Sequence, residues 1–350
     1  MFLFYNLQQK RRRRKNISFA ILKCNPSWLD DKEPIQRKRF EELNEMSFKE
    51  RYRFSRDEVI LLHRKLLIEN EITQENGAKI DSRMALVVML DKLARPTRLV
   101  DLQHRYGIEQ TLISRIINFM LEIFIVKFGH TIQIRHCLIV KYGCILSQAL
   151  ANSGCPLINC IGFIDGTCRQ MCRPTRNQKY YYNGHKQFHC LEYQGVVAPN
   201  GIVIDLSGPA IGIRHDLRMM GESNIVSRLP DPLQWSVYSD PAYYHAEKVV
   251  AGFPGTILTA EQKEFNKKMS KERIAVEWCF GGILNLWTGL RMVKDFKVDL
   301  QPVALYYKSA TILYNIHNIL RPNQISQYFN CPTFTLDDYL HVCTDNCELS

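Results

Sequence analysis

The chain has 350 residues, 46% hydrophobic and 23% charged, an ordinary globular balance that excludes a disordered or fibrous polymer and leaves room for a sizeable buried core in two or three domains. Its 46 Lys and Arg exceed its 35 Asp and Glu, and the resulting net charge of +11 favours a polyanionic partner, nucleic acid or an acidic membrane surface. No apolar run reaches the roughly 18 residues that a membrane-spanning helix needs, so no membrane span is expected.

Residues 1–45 are polar, basic and weakly patterned, and are expected to be flexible or loosely docked. The apolar start at 1–6 has no basic region before it and no small-residue cleavage site after it, so it makes a poor signal peptide. Lys10, Arg11, Arg12, Arg13, Arg14 and Lys15 follow it. Such a run serves nuclear import, lies on phosphates as an arm, or is simply a solvated tail. The 12 cysteines are read as a reduced intracellular set. Cys160, Cys168, Cys190 and Cys279 sit in or beside apolar runs, where a thiol behaves as a small hydrophobe. Cys168 with Cys172, and Cys343 with Cys347, miss the spacing of a zinc half-site.

A helical pattern begins near residue 47. Ser55 before Asp57 and Glu58, followed by Val59, Leu61, Leu62, Leu66 and Leu67, reads as an N-cap with acids in the first turn. A second helix is predicted over 82–93, ending before Pro96. Residues 97–122 then read as helix, turn, helix. Leu99, Val100 and Leu102 form an apolar face closed by Tyr106, Gly107 makes the corner, and Leu112, Ile116 and Ile117 recur at helical spacing. Gln110, Thr111, Ser114, Arg115 and Asn118 are left facing outward, and these side-chain types read base edges and phosphates. An ordinary helical hairpin carries the same pattern.

From Leu157 to Ile164 the periodicity becomes that of a buried strand, expected to stop at Asp165 and Gly166. Residues 188–197 and 201–207 are strand-like and joined by Asn200-Gly201, a hairpin signal. Another short strand, 235–238, runs up to Asp240. Helices are predicted over 260–287 and 302–320, giving a mixed α/β region. Carboxylates at strand ends in such sheets converge on hard cations, and magnesium and manganese prefer oxygen ligands. Glu277 is the third acid, one helical turn from Arg273, with Ile274, Trp278 and Phe280 expected to pack the helix on the sheet. Taken singly, Asp165 and Asp240 fit equally well as turn residues, and Glu277 as an ion-pair partner of Arg273.

Several pieces recur in order: Phe163-Ile-Asp-Gly-Thr167, Cys172-Arg-Pro174, Tyr182-Asn-Gly-His-Lys186 and Gly195-Val-Val-Ala-Pro-Asn-Gly201. Gly208-Pro209, Arg214-His-Asp216, Tyr238-Ser-Asp-Pro-Ala-Tyr243 and Phe265-Asn266 follow. Arg273-Ile-Ala-Val-Glu277, Phe280-Gly281 and Asn315-Ile-His-Asn318 complete the set. Over about 162–320 the chain resembles the DDE endonuclease domain of PIF/Harbinger-type transposases and their domesticated nuclease relatives, and the helices before residue 150 resemble the helix-turn-helix that precedes it. The resemblance implies an RNase H-like core with Asp165, Asp240 and Glu277 as metal-binding catalytic carboxylates, Mg2+ or Mn2+ as cofactor, and DNA hydrolysis by a two-metal scheme, with or without strand transfer. It also implies a Myb/SANT-like partner protein. Homodimerisation is expected because two element ends must be processed together. Two departures stand out: Asp240-Pro-Ala-Tyr243 replaces the usual Asp-Ser-Gly-Tyr, and the basic residues usual after Phe280-Gly281 are missing.

The expected plan is therefore a basic segment at 1–45, a helical domain at 46–150, an RNase H-like nuclease domain at 151–321 and a C-terminal tail at 322–350, and the expected location is the nucleus, with or without the cytoplasm. Arg169, Arg173, Arg176, Lys179, His185 and Lys186, interleaved with Tyr180, Tyr181 and Tyr182, suit a DNA groove beside the acids, as does a solvated loop. With Arg115 they are the expected DNA contacts. Asp216 is either an accessory acid or a helix cap; Asp205 and His317 are expected to be structural. The competing functions are a non-catalytic DNA-binding regulator, an RNA-directed nuclease and an interaction protein.

Overall fold

A computed structural model describes residues 36–73, 77–211, 216–229, 235–241, 243 and 247–342. The basic run 10–15, Arg214, His215, Cys343 and Cys347 lie outside the described residues.

The first half is helical. Helix Arg56–Leu66 starts with a reciprocal capping box between Ser55 and Glu58, which satisfies two backbone donors that the first turn leaves open. A two-stranded ribbon, β1 (Glu71–Thr73) with β2 (Lys79–Asp81), leads into helix Ser82–Ala94, capped by the Asp81 carboxylate. Helix Leu99–Tyr106 ends at Gly107, in the left-handed conformation at φ 66°, and helix Gln110–Phe128 follows. Gly107 is required twice over, because a methyl group there would also collide with the Gln36 backbone carbonyl. Leu102, Tyr106, Leu112, Ile116 and Ile117 are buried as the pattern predicts, whereas Leu99 and Val100 are only half-buried. Helix His136–Asn152 closes this part.

The second half holds a mixed sheet. Strands β3 (Cys160–Gln170), β4 (Tyr182–Asn183), β5 (Phe188–Val197), β6 (Val203–Ile211), β7 (Ser236–Ser239) and β8 (Val249–Ala251) pair in the order β4-β5-β3-β7-β8, with β6 also on β5. β3, β5 and β6 form an antiparallel meander, while β3–β7 and β7–β8 are parallel. The β5–β6 connection is the expected hairpin at Asn200-Gly201, with Gly201 at φ 78°. One expectation fails: β3 does not stop at Asp165 but continues to Gln170, because residues 165–170 pair in unbroken register with 195–190 of β5. Polar side chains there hid a strand whose partner is remote in sequence.

The long helix Ala260–Leu286 packs on β3, β5 and β7, and helix Val303–Leu320 packs on both the long helix and helix Gln110–Phe128. Asn315 seats that last helix by bonding both backbone groups of Val203 on β6, and Asn318 bonds the Gly201 carbonyl. One hydrophobic core runs from Phe40 to Tyr339. Phe40 and Leu43, in the segment expected to be loosely docked, belong to it, Phe40 lying edge-on to Phe48 with Arg56 and Arg83 over its ring. So do Ile325, Phe329, Phe334 and Tyr339 from the expected tail, which forms helices Gln324–Tyr328 and Leu336–Leu340. Short apolar sets in a charged or proline-bearing context carry too little periodicity to announce this docking. Among the described residues, no helix is long and apolar enough to cross a membrane. The mixed α/β architecture with its many helices is consistent with an RNase H-like fold.

Candidate active site

Asp165 stands mid-strand on β3, directly across from Gly195 on β5. Gly195 presents no side chain, and a methyl group there would come to 3.0 Å from the Phe280 ring. The missing side chain lets the long helix settle close over the sheet. Parallel pairing aligns Phe163 of β3 with Tyr238 of β7. Two residues further along each chain come Asp165 and Asp240, so the register carries both acids to neighbouring positions, and the charge of Asp240 acts on Asp165.

Glu277 arrives from the long helix with its side chain 59% exposed. Arg273, one turn earlier, links it to the sheet. Its guanidinium donates to Asp165 Oδ2 at 2.6 Å and to Glu277 Oε1 at 3.4 Å. The Gly166 backbone N–H donates to Asp165 Oδ1 at 2.8 Å. Burial raises the Asp165 carboxyl above its ordinary range and the Asp240 charge adds to this, while Arg273 and the Gly166 N–H oppose them. Arg273 therefore does more than the helical ion pair its spacing announced: it ties Asp165 and Glu277 together across helix and sheet.

Tertiary contacts hold the helix in this position. Phe265 lies edge-on to both Tyr238 and Phe253. The Asn266 side chain donates to the Phe253 carbonyl and accepts from the Phe253 N–H, clamping the chain just after β8. Phe280 is buried and Trp278 packs edge-on to Tyr328. Ile274, expected to pack, is instead 40% exposed, because Ala275 and Val276 take the core-facing positions of that turn.

The expected DNA contacts divide. Arg173, Arg176, Lys179, His185 and Lys186 are exposed in the 171–187 connection, together with Tyr180 and Tyr182. This connection begins past the end of β3, about 17 Å along the strand from Asp165 at the usual rise per residue. Arg169 behaves differently: its guanidinium lies over the Tyr307 ring and bonds the Thr167 hydroxyl, so it is half-buried structure. Arg115 is exposed on helix Gln110–Phe128. Asp216 opens helix Asp216–Ser223, and its side chain lies outside what is described. Asp205 is buried in an ion pair with Arg228. His317 lies edge-on to Phe54, and burial, reinforced by the Arg321 charge, holds its imidazole down to about 4. Cys137 is disulfide-bonded, a departure from the reduced set expected, while Cys144, Cys155, Cys160, Cys168, Cys172, Cys190, Cys279 and Cys331 are free.

Residues 164–315 match the family described as DDE superfamily endonuclease. The matched interval contains Asp165, Asp240 and Glu277, and it supports that superfamily for this chain. Neither a curated protein nor a solved structure matches. An endonuclease domain of this kind suggests a nuclease or transposase-like function, implies DNA as substrate and typically uses divalent metal.

Proposed function

We propose that this protein is a divalent-metal-dependent DNA endonuclease of the cut-and-paste transposase type, with Asp165, Asp240 and Glu277 as its catalytic metal ligands. The observation that carries the reading is the pairing register that sets Asp165 and Asp240 at neighbouring positions of β3 and the end of β7, together with the Arg273 guanidinium, which bonds both Asp165 and Glu277. That guanidinium is a stand-in cation: a positive charge already fits between Asp165 and Glu277. The donor set is all carboxylate oxygen, which suits Mg2+ or Mn2+ and not softer ions.

When bound, such ions supply an activated water and neutralise the leaving 3′ oxygen of the phosphodiester. The chain's own residues do the rest. Asp165 is placed by its strand register and by the Gly166 N–H, Asp240 by the parallel β3–β7 pair, and Glu277 by the packing of Phe280 and Trp278. The exposed basic and tyrosine residues of 171–187 hold DNA phosphates and stack on unpaired bases. The helices on either side of Gly107 supply a further DNA contact through Arg115. The closer assignment is a PIF/Harbinger-type enzyme, nuclear through the run 10–15, working as a homodimer with a Myb/SANT-like partner.

The test is nicking of supercoiled plasmid by purified protein with Mg2+ or Mn2+. The wild type is expected to nick, and Asp165→Ala, Asp240→Ala and Glu277→Ala each to lose about a hundredfold or more in rate, with the surface control Asp57→Ala unchanged. An inactive wild type, even with a candidate partner, overturns the enzyme reading in favour of a DNA-binding regulator.

A further inference from the structure

On the sheet face opposite Asp165, β3 and β5 bring together three potential metal ligands. Cys168 lies across from Glu192, and Cys190 lies across from Gln170, two positions along on the same face. The two sulfurs and a Glu192 carboxylate oxygen lie within 4.8 Å of one another. Cys190 and Glu192 are buried, whereas Cys168 is half-buried and opens the group to solvent. Among the described residues, this is the one group of three such side chains brought together.

We propose that Cys168, Cys190 and Glu192 form a second cation site, built for a thiophilic divalent ion of the zinc class and independent of the carboxylate triad. The chemistry of the donors separates the two sites: two thiolates and one carboxylate select zinc-like ions, and an all-oxygen set does not. Geometry allows closure. Ligand sulfurs on a tetrahedral zinc stand about 3.8 Å apart, so side-chain rotation of about an ångström completes the group. On binding, each thiol releases its proton to solvent as its sulfur–metal bond forms, and water enters the remaining position from the Cys168 side. Glu192 is already oriented, since Asn183 Nδ2 donates to its Oε1 at 2.6 Å, the kind of outer contact that fixes a ligating carboxylate. Asn183 belongs to β4, so an ion here would also tether the 171–187 connection to the sheet.

Cobalt(II) is the probe, because thiolate coordination gives a charge-transfer absorption that carboxylates alone cannot give. Full-length reduced protein is titrated with CoCl2 and then challenged with zinc. The expected result is one equivalent of thiolate-bound cobalt, displaced by zinc, absent in Cys168→Ser, and at least about tenfold weaker in Glu192→Gln. Cys144→Ser, at an exposed free cysteine, and Asp165→Ala keep the signal; the latter makes the result independent of the nuclease reading. Cys168→Ser is chosen over a Cys190 variant because its site is half-buried, and circular dichroism confirms that it folds. No thiolate signal in the wild type, a signal surviving Cys168→Ser, or a Cys168–Cys190 disulfide in protein prepared under reductant overturns the proposal.

Discussion

Single side chains here are informative where their surroundings contradict their solution chemistry. His317 is the clearest case. The imidazole is neutral in the fold, held down to about 4 by burial and by the Arg321 charge, against an ordinary value of 6.5. The unfolded chain binds the proton first as pH drops, so native stability is full above about 6.5 and declines through the window down to about 4. The decline attributable to this residue is on the order of 2 kcal/mol after allowance for solvent screening. Urea titrations at several pH values are expected to show that slope in the wild type and to show it flattened in His317→Phe. An identical slope in both proteins would assign the pH dependence to other groups. At Asp165 burial and the Asp240 charge likewise favour the neutral form, but here an opposite charge, Arg273, resists them. A carboxylate held in that tension gains from any cation placed beside it.

At the scale of elements, the candidate site is a problem of docking one helix on three strands. The long helix is started by the Thr259–Gln262 capping box, clamped by Asn266 and held by Phe265 and Phe280. Gly195 decides how close it comes. Gly195→Ala is expected to push Phe280 outward and cost about 1–3 kcal/mol in stability, the usual range for overpacking. Because Gly195 is across from Asp165 and Phe280 is one turn from Glu277, nicking is expected to fall by about tenfold or more in protein that still folds. Plasmid nicking and thermal melting on the same sample check this, and unchanged activity would mean that the helix adjusts without moving Glu277. Capping patterns and glycine positions of this kind are local, and so are legible in sequence: the helices over 56–66, 82–94, 260–286 and 303–320 fall close to where periodicity puts them. The second half of β3 is not local. Its pairing with β5 makes Thr167, Cys168 and Arg169 strand residues, although their own polarity suggests a loop.

The whole molecule is tied together by segments from both ends of the chain. The Tyr339 hydroxyl accepts from Thr131 and from Asn315, and its ring lies under the Arg135 guanidinium. Arg53 donates to the Leu286 carbonyl at the end of the long helix, and Lys92 pairs with Asp295 in the segment that follows it, joining the first helices to both. Truncation after Arg321 would remove Ile325, Phe329, Phe334 and Tyr339 from the core. At about 1.5–3 kcal/mol for each large apolar side chain, that loss rivals the whole stability of a typical domain. The truncated chain is expected to lack a cooperative melt in differential scanning calorimetry; a melt within a few degrees of full length would show the segment to be dispensable.

The sequence by itself determined the main helices over 56–66, 82–94, 260–286 and 303–320, the buried start of β3 and the hairpin at Asn200-Gly201, and it singled out the three acids as candidates, because each is written in local periodicity, turn chemistry or motif. Tertiary structure alone decided that Arg273 reaches Asp165, that β3 runs on through Cys168, and that Cys168, Cys190 and Glu192 share one face. It also decided that residues from 40 and 339 share one core. The physical reason is the same in each case: these relations depend on strand register and helix docking between segments far apart in the chain, and pairing energies between remote segments leave no period in either segment alone.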